Sequence, residues 1–124
     1  MKFWFVLGCL LAGLGVAAGA FGAHALRRTL PPDWLTIFET GVRYQMYHAL
    51  ALLVVALTSV QRPSSAIQAA GWFFVLGTGL FSGSLYALCL TGMRGLGMIT
   101  PVGGLCFLAG WASLAWGVWT HPTV

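Results

Sequence analysis

Four long apolar runs, separated by shorter polar links, dominate the pattern of residues along the chain. A helix rises about 1.5 Å per residue, so about 20 apolar residues cross a hydrocarbon core of about 30 Å. The runs reach that length over residues 3–23, 42–60, 66–90 and 100–119. None alternates polar and apolar residues as a barrel strand does. The pattern predicts one domain, residues 1–124, with four transmembrane helices.

The second and third links are short and rich in turn residues. QRPSSA joins spans 2 and 3 and contains Pro63, whereas TGMRGLG joins spans 3 and 4 and is rich in glycine. Thr100-Pro101 then has the form of a helix start. Because short links make consecutive helices antiparallel neighbours, we expect an all-α, polytopic, antiparallel four-helix bundle.

The first link, RRTLPPDWLTIFETG, is longer and amphipathic. Asp33 falls in what would be a first helical turn, where a carboxylate meets the positive end of a helix. Trp34, Ile37 and Phe38 share one face. The pattern predicts a short helix over residues 32–41 that lies in the membrane interface. Gly41 could mark its bend into span 2, or the two segments could form one long helix.

Small residues recur at heptad spacing in spans 1 and 4, and at spacing four in span 3. Close backbone approach holds helices together in lipid, so these faces are predicted to pack against neighbouring helices, those of spans 1 and 4 against each other or against another span. This pattern favours a retained first helix over a cleaved signal peptide, which its apolar run and small residues also resemble. The predicted packing residues are Gly8, Ala12, Gly15, Gly19 and Gly22, then Gly79 and Gly83, then Gly103, Cys106, Gly110, Ser113 and Gly117.

Composition agrees with a membrane protein. The chain is 59% hydrophobic and 6% charged, whereas soluble domains carry about 25% charged residues. The lipid bilayer is therefore the expected partner. The net charge of +4 comes from scattered basic residues, a distribution that argues against nucleic acid as a partner. Cys9, Cys89 and Cys106 form no CxxC motif and have no nearby His partner, so we expect neither a disulfide framework nor a zinc site. No motif in the sequence indicates another metal or a cofactor.

Basic residues divide unequally between the two ends of the predicted bundle. The positive-inside rule places links 24–41 and 91–99 in the cytoplasm and both termini outside. The end with the first and third links carries four basic residues, Arg27, Arg28, Arg43 and Arg94, and the end with the termini carries two, Lys2 and Arg62. An interfacial tryptophan belt near the termini is formed by Trp4, Trp72, Trp116 and Trp119.

Polar residues gather where span 1 ends and span 2 begins. Glu39, Arg43 and Tyr47 are spaced by four and share a helical face. His48 lies about 9 Å below the start of span 2, too deep to reach the surface, so it should face protein. Ionisable residues at such depth are candidates for function. The candidate polar site is His24, Glu39, Arg43, Tyr44, Tyr47 and His48, with Gln45 beside them.

Two interpretations of this cluster remain open. In the first, the protein is a structural, interaction or assembly protein that could form a homo-oligomer, and the polar residues organise one end of the bundle. In the second, it is a transporter or channel subunit, and the His/Arg/Tyr cluster handles a small anion, a proton or a lipid. No Asp or Glu lies within a span and no nucleophile motif occurs, so an enzyme is not expected.

Two motifs also carry a family resemblance. GAFGAHAL, residues 19–26, and FETGVRYQMYHALALL, residues 38–53, resemble the small four-span proteins catalogued as domain of unknown function 423, related to animal transmembrane protein 256. The resemblance extends over essentially the whole chain and implies a multi-pass bacterial inner or plasma membrane protein without an assigned activity. The family's motif positions fall here at Gly19, Gly22, His24, Glu39, Arg43, Tyr47 and His48.

Overall fold

The computed structural model describes residues 1–123 and is all-helical. Its long helices are α1 (Lys2–His24), α2 (Pro32–Gln61), α3 (Ser65–Thr91) and α4 (Thr100–Thr120). Short 3₁₀ helices, Leu26–Arg28 and Arg94–Met98, occupy the first and third links.

Three stretches within residues 1–123 are long and apolar enough to cross a membrane: Lys2–Arg28, Ser65–Thr91 and Arg94–Thr120. They correspond to α1 with the 3₁₀ helix that follows it, to α3 alone, and to α4 with the 3₁₀ helix that precedes it. Helix α2 is not among them, and its first half carries polar side chains such as Glu39, Arg43 and Gln45. A span over residues 42–60 therefore remains a prediction from the sequence.

The separate interfacial helix predicted over residues 32–41 does not appear, because these residues form the first turns of α2. Gly41 does not interrupt the helix: Gly92 has the only positive φ within the described part of the chain. Instead, Gly41 packs closely against the ring of Tyr86. Its carbonyl oxygen also accepts a hydrogen bond from the Ser82 hydroxyl at 2.6 Å. The glycine provides close packing between α2 and α3 rather than a bend.

The helices pack in chain order, α1 on α2, α2 on α3 and α3 on α4. One core cluster, around Leu52, Ile67 and Phe74, joins all four helices. A smaller cluster around Phe38 and Leu88 lies where the first and third links meet the bundle. The two middle helices, α2 and α3, thus form the centre, and α1 and α4 flank them.

The small-residue face of α1 packs on α2. A Cβ added at Gly8 would lie 2.9 Å from the Ala49 carbonyl oxygen. One added at Gly22 would lie 3.0 Å from the Phe38 ring. Gly15 is buried against α2 in the same way, whereas Ala12 and Gly19 are half-buried.

The small-residue face of α4 packs on α3. A Cβ at Gly110 would lie 2.6 Å from the Phe74 ring, and one at Gly117 equally close to Ile67. A Cβ at Gly103 would overlap the backbone of Phe81. Cys106 and Ser113 are half-buried. The α1 and α4 faces thus each meet the adjacent helix in the chain rather than each other.

Gly79 and Gly83 depart from the predicted packing. A Cβ added at either would meet no atom within 4 Å. The reason is that the face of α3 that carries these two glycines borders an open groove between α1 and α3. The groove has a volume of about 480 Å³. A second groove of about 380 Å³ lies between α2 and α4. We call these the α1–α3 groove and the α2–α4 groove.

Candidate functional site

His48 lies at the centre of the polar residues and is only 4% exposed. Its Nδ1 atom is 2.7 Å from the carbonyl oxygen of Tyr44, one turn earlier in α2. Its Nε2 atom accepts a hydrogen bond from the indole Nε1–H of Trp111 in α4, at 3.1 Å. An indole nitrogen can only donate, so Nε2 carries no proton. Nδ1 must then carry the proton, and His48 is neutral with both nitrogens in use.

Aromatic rings hold the imidazole in place. The His48 ring stacks on Phe107 with ring centroids 3.5 Å apart and planes 6° apart. The Tyr44 ring is also nearly parallel, at 17° to His48 and 23° to Phe107. These rings come from α2 and α4. The polar centre of α2 is therefore fixed by α4 through both a hydrogen bond and ring stacking.

Gln45 forms the second polar centre and connects three helices. Its side-chain Nε2 donates to the Leu11 carbonyl oxygen of α1 at 2.8 Å. Its Oε1 accepts from the Tyr86 hydroxyl of α3 at 2.7 Å. Gln45 is buried on the same face of α2 as Gly41 and His48, because positions four and seven residues apart share one helical face.

Further hydrogen bonds join the helices near their ends. Trp4 of α1 donates to Gln68 of α3 at 2.7 Å. The Ser84 and Thr100 hydroxyls are 2.6 Å apart, between α3 and α4. Arg62, in the second link, donates to the carbonyl oxygen of His121 at 2.6 Å, beyond the end of α4.

The result is a satisfied interior. Among the described residues, every buried side-chain nitrogen or oxygen has a hydrogen-bond partner. The same residues contain no group of three His, Cys, Asp or Glu side chains that could hold a metal ion. The arrangement suits cohesion between helices, since each buried polar side-chain atom has at least one partner, either on another helix or on the backbone of its own helix.

The structure brings together only part of the predicted polar site. Tyr44, Tyr47 and His48 line the α2–α4 groove. His24, Glu39 and Arg43 are exposed on the outer surface instead. Glu39 and Arg43 lie on a different face of α2 from the buried residues, and His24 is the last residue of α1.

Three residues that complete the site lie outside the predicted cluster: Phe107, Trp111 and Tyr86. They come from α3 and α4, so nothing near span 2 in the sequence indicates them. Trp111 alone carries a usable signal. It lies midway along α4, away from the membrane interface where tryptophan is usually enriched, and an indole at that depth needs an internal acceptor.

An all-helical chain with three helices apolar enough to span a membrane and a hydrogen-bonded polar interior is a small polytopic membrane protein. The family model described as "Protein of unknown function (DUF423)" matches residues 18–104. The chain belongs to this family.

Bacterial relatives are similar over nearly their whole length. The chain is 46% identical over 114 residues to a UPF0382 membrane protein of Staphylococcus haemolyticus, covering 92% of this chain and 93% of the relative. It is 46% identical over 112 residues to the UPF0382 membrane protein YwdK of Bacillus subtilis, covering 90% and 91%. It is 41% identical over 116 residues to the UPF0382 inner membrane protein YgdD of Escherichia coli K12, covering 94% and 88%. No solved structure matches the chain.

Proposed function

We propose that the protein is a structural or interaction protein of the bacterial inner membrane, and that its polar residues hold a four-span bundle together. The Escherichia coli relative is named an inner membrane protein, which supports this location. The observation that carries the proposal is the fully paired interior within residues 1–123. A conduit for an ion needs polar groups that are free to bind it, whereas His48 and Gln45 are engaged with other helices.

A reconstitution experiment tests this role against the transport alternative. We expect proteoliposomes to show no proton or chloride flux above protein-free vesicles, measured with dyes sensitive to pH and chloride. His48→Ala should lower the thermal stability of the purified protein, because it removes the bond to Trp111. A saturable proton or chloride flux that His48→Ala abolishes at unchanged thermal stability would instead favour the transport alternative.

Self-association is the form of interaction that we propose. The small residues Gly79 and Gly83 border the α1–α3 groove with nothing within 4 Å of an added Cβ. A small-xxx-small pair on an open helix face is a common contact between membrane helices. We expect native mass spectrometry from nanodiscs to show a homo-oligomer that Gly83→Leu dissociates. The matched control is Gly13→Leu, on an open face of α1, and an exclusively monomeric parent protein would refute this step.

The proposed membrane placement uses the length of α2. Its 30 residues extend about 45 Å, which exceeds a hydrocarbon core of about 30 Å. We place residues 42–60 in the core and residues 32–41 at the cytoplasmic surface. Arg27, Arg28, Arg43 and Arg94 are exposed at that end. At the other end of the bundle, the Arg62 side chain donates to the carbonyl oxygens of Val118 and His121. Lys2 is the exposed basic side chain at that end. This contrast supports cytoplasmic first and third links and external termini.

A further inference from the structure

Three exposed arginines lie at the end of the bundle that carries the first and third links. Arg27 and Arg28 belong to the 3₁₀ helix that follows α1, and Arg94 begins the 3₁₀ helix that precedes α4. Residues 24–31 and 91–99 contain neither Asp nor Glu. We call these three arginines the basic surface, and no carboxylate of their own segments neutralises it.

The other charges at this end lie on α2 and are compensated there. Asp33 occupies the first turn of α2, where the positive end of the helix favours a carboxylate. Glu39 precedes Arg43 by one turn, a spacing at which opposite charges attract each other. The basic surface therefore carries positive charge that the described chain leaves uncompensated, and the partner that it favours is an anion.

Apolar contacts hold both links against the bundle. Leu26, directly before Arg27, is buried in the smaller of the two core clusters. Leu96, two residues after Arg94, packs against the same cluster. The arginines therefore project from anchored positions at the ends of the long helices, where the apolar part of the molecule stops.

Exposed apolar side chains around Arg94 indicate which anion the surface meets. Met93 and Met98 are 62% and 81% exposed, and Ile99 is 39% exposed. In water these side chains would lose the free energy that burial supplies, whereas in a bilayer they lie among acyl chains. A basic residue flanked by apolar side chains is typical of a segment in the lipid headgroup layer. A lipid with an anionic headgroup satisfies the arginine and the methionines together, whereas a soluble anion or a nucleic acid would contact the arginine alone.

We propose that the basic surface binds an anionic phospholipid, with guanidinium groups donating to its phosphate oxygens and with Met93 and Met98 beside its acyl chains. The planar donors of arginine can engage two oxygens of one phosphate. A zwitterionic headgroup adds an ammonium group, which the arginines repel. This proposal rests on the membrane placement given above for the two links, but neither on the side of the membrane that they face nor on self-association. The flux measurement and His48→Ala do not involve the basic surface, so the two proposals can fail separately.

Dioleoylphosphatidylglycerol is the probe, and dioleoylphosphatidylethanolamine, which has the same acyl chains and no net charge, is the reference lipid. Native mass spectrometry of the full chain in detergent should show the probe bound at a severalfold lower concentration than the reference. Arg94→Gln should weaken binding of the probe about fivefold, because one basic residue near an anionic surface contributes about that factor. Arg94→Lys retains the charge and should bind within about twofold of the parent protein. Lys2→Gln is the matched control, since it removes the same charge at the opposite end, and it should change binding by less than about twofold.

Three results would overturn the proposal. The first is equal affinity for the two lipids. The second is an equal loss of binding in Lys2→Gln and Arg94→Gln, which would show attraction to net charge alone. The third is displacement of the probe by glycerol phosphate, which has the phosphate without acyl chains; the ligand would then be a soluble anion. Thermal unfolding of each variant shows whether it folds. Should Arg94→Gln fail to fold, the double variant Arg27→Gln/Arg28→Gln replaces it, with an expected loss of about 25-fold for two charges.

Discussion

Gln45 shows how a single polar residue can act as a structural centre inside a membrane. Its amide donates to Leu11 of α1 and accepts from Tyr86 of α3, so one side chain satisfies two interhelical contacts. His48 makes one interhelical contact, to Trp111 of α4, and its other ring nitrogen bonds the Tyr44 carbonyl oxygen of its own helix. At the scale of the residue, these buried polar side chains are tolerated because each forms hydrogen bonds to other groups of the protein.

Gln45→Leu should therefore lower the free energy of unfolding by about 1–2 kcal/mol, because interhelical hydrogen bonds in membranes contribute about 0.6–2 kcal/mol each. Tyr86→Phe should cost less, since the bond from Gln45 to Leu11 survives. The measurement is an unfolding titration in one detergent. The double variant is the control: it should cost less than the two single variants together, because they share a bond. Strict additivity would show that the Tyr86 hydroxyl does not depend on Gln45.

The bond from Trp111 also fixes the tautomer of His48. Histidine-selective ¹⁵N NMR should show His48 protonated at Nδ1 and bare at Nε2, because the indole can only donate. Trp111→Phe removes that donor, so the preference should weaken. A signal from His48 protonated at Nε2 in the parent protein would contradict the assigned bond.

Glycine acts at the scale of the element, by letting one helix backbone approach another. Gly103 of α4 lies against the backbone of Phe81 in α3, whereas its neighbour Gly104 faces the α2–α4 groove. Both glycines occupy the same turn of the same helix. They differ only in what an added methyl group would meet. A comparison of the same substitution at both positions therefore distinguishes the effect of helix packing on stability from the effect of helix propensity.

Gly103→Ala should destabilise the protein by about 1–3 kcal/mol, because a backbone cannot move aside as a flexible side chain can. Gly104→Ala is the matched control. It should be neutral or stabilise by up to about 1 kcal/mol, since alanine favours the helix. Thermal unfolding of both variants under the same conditions measures the difference. Equal effects would mean that α3 and α4 are not in backbone contact at Gly103.

The same elements show what the sequence can predict. Apolar runs of sufficient length locate α1, α3 and α4, because length and hydropathy are properties of each segment alone. Whether Gly41 bends α2 depends on Tyr86, 45 residues away, so the pattern leaves both outcomes open. The partner of each glycine face, and the bond from Trp111 to His48, likewise depend on how separate helices pack. Gly79 and Gly83 repeat the spacing of packed glycines and yet border a groove, so spacing alone does not identify contact within one chain.

At the scale of the whole molecule, the unequal distribution of basic residues between the two ends of the bundle predicts its orientation in the membrane. A C-terminal alkaline phosphatase fusion should be active and a C-terminal fluorescent protein fusion dark in Escherichia coli, because the proposed orientation places the C-terminus outside the cytoplasm. The reverse pair of signals would refute this orientation, while leaving the packing of the helices unaffected.

Charge variants test the cause of that orientation. Replacing Arg27, Arg28 and Arg94 by Gln removes exposed charges from the proposed cytoplasmic end, so the fusions should report a mixed or inverted population.

Arg62→Gln is the opposite case. Arg62 binds the carbonyl oxygens of Val118 and His121, so its loss should reduce thermal stability and leave the orientation unchanged, since it removes a positive charge from the external end. If Arg62→Gln inverts the protein and the triple variant does not, the unequal arginines cannot be what orients the bundle. The two variants thus separate an arginine that binds the end of α4 from the arginines that we propose to orient the bundle in the membrane.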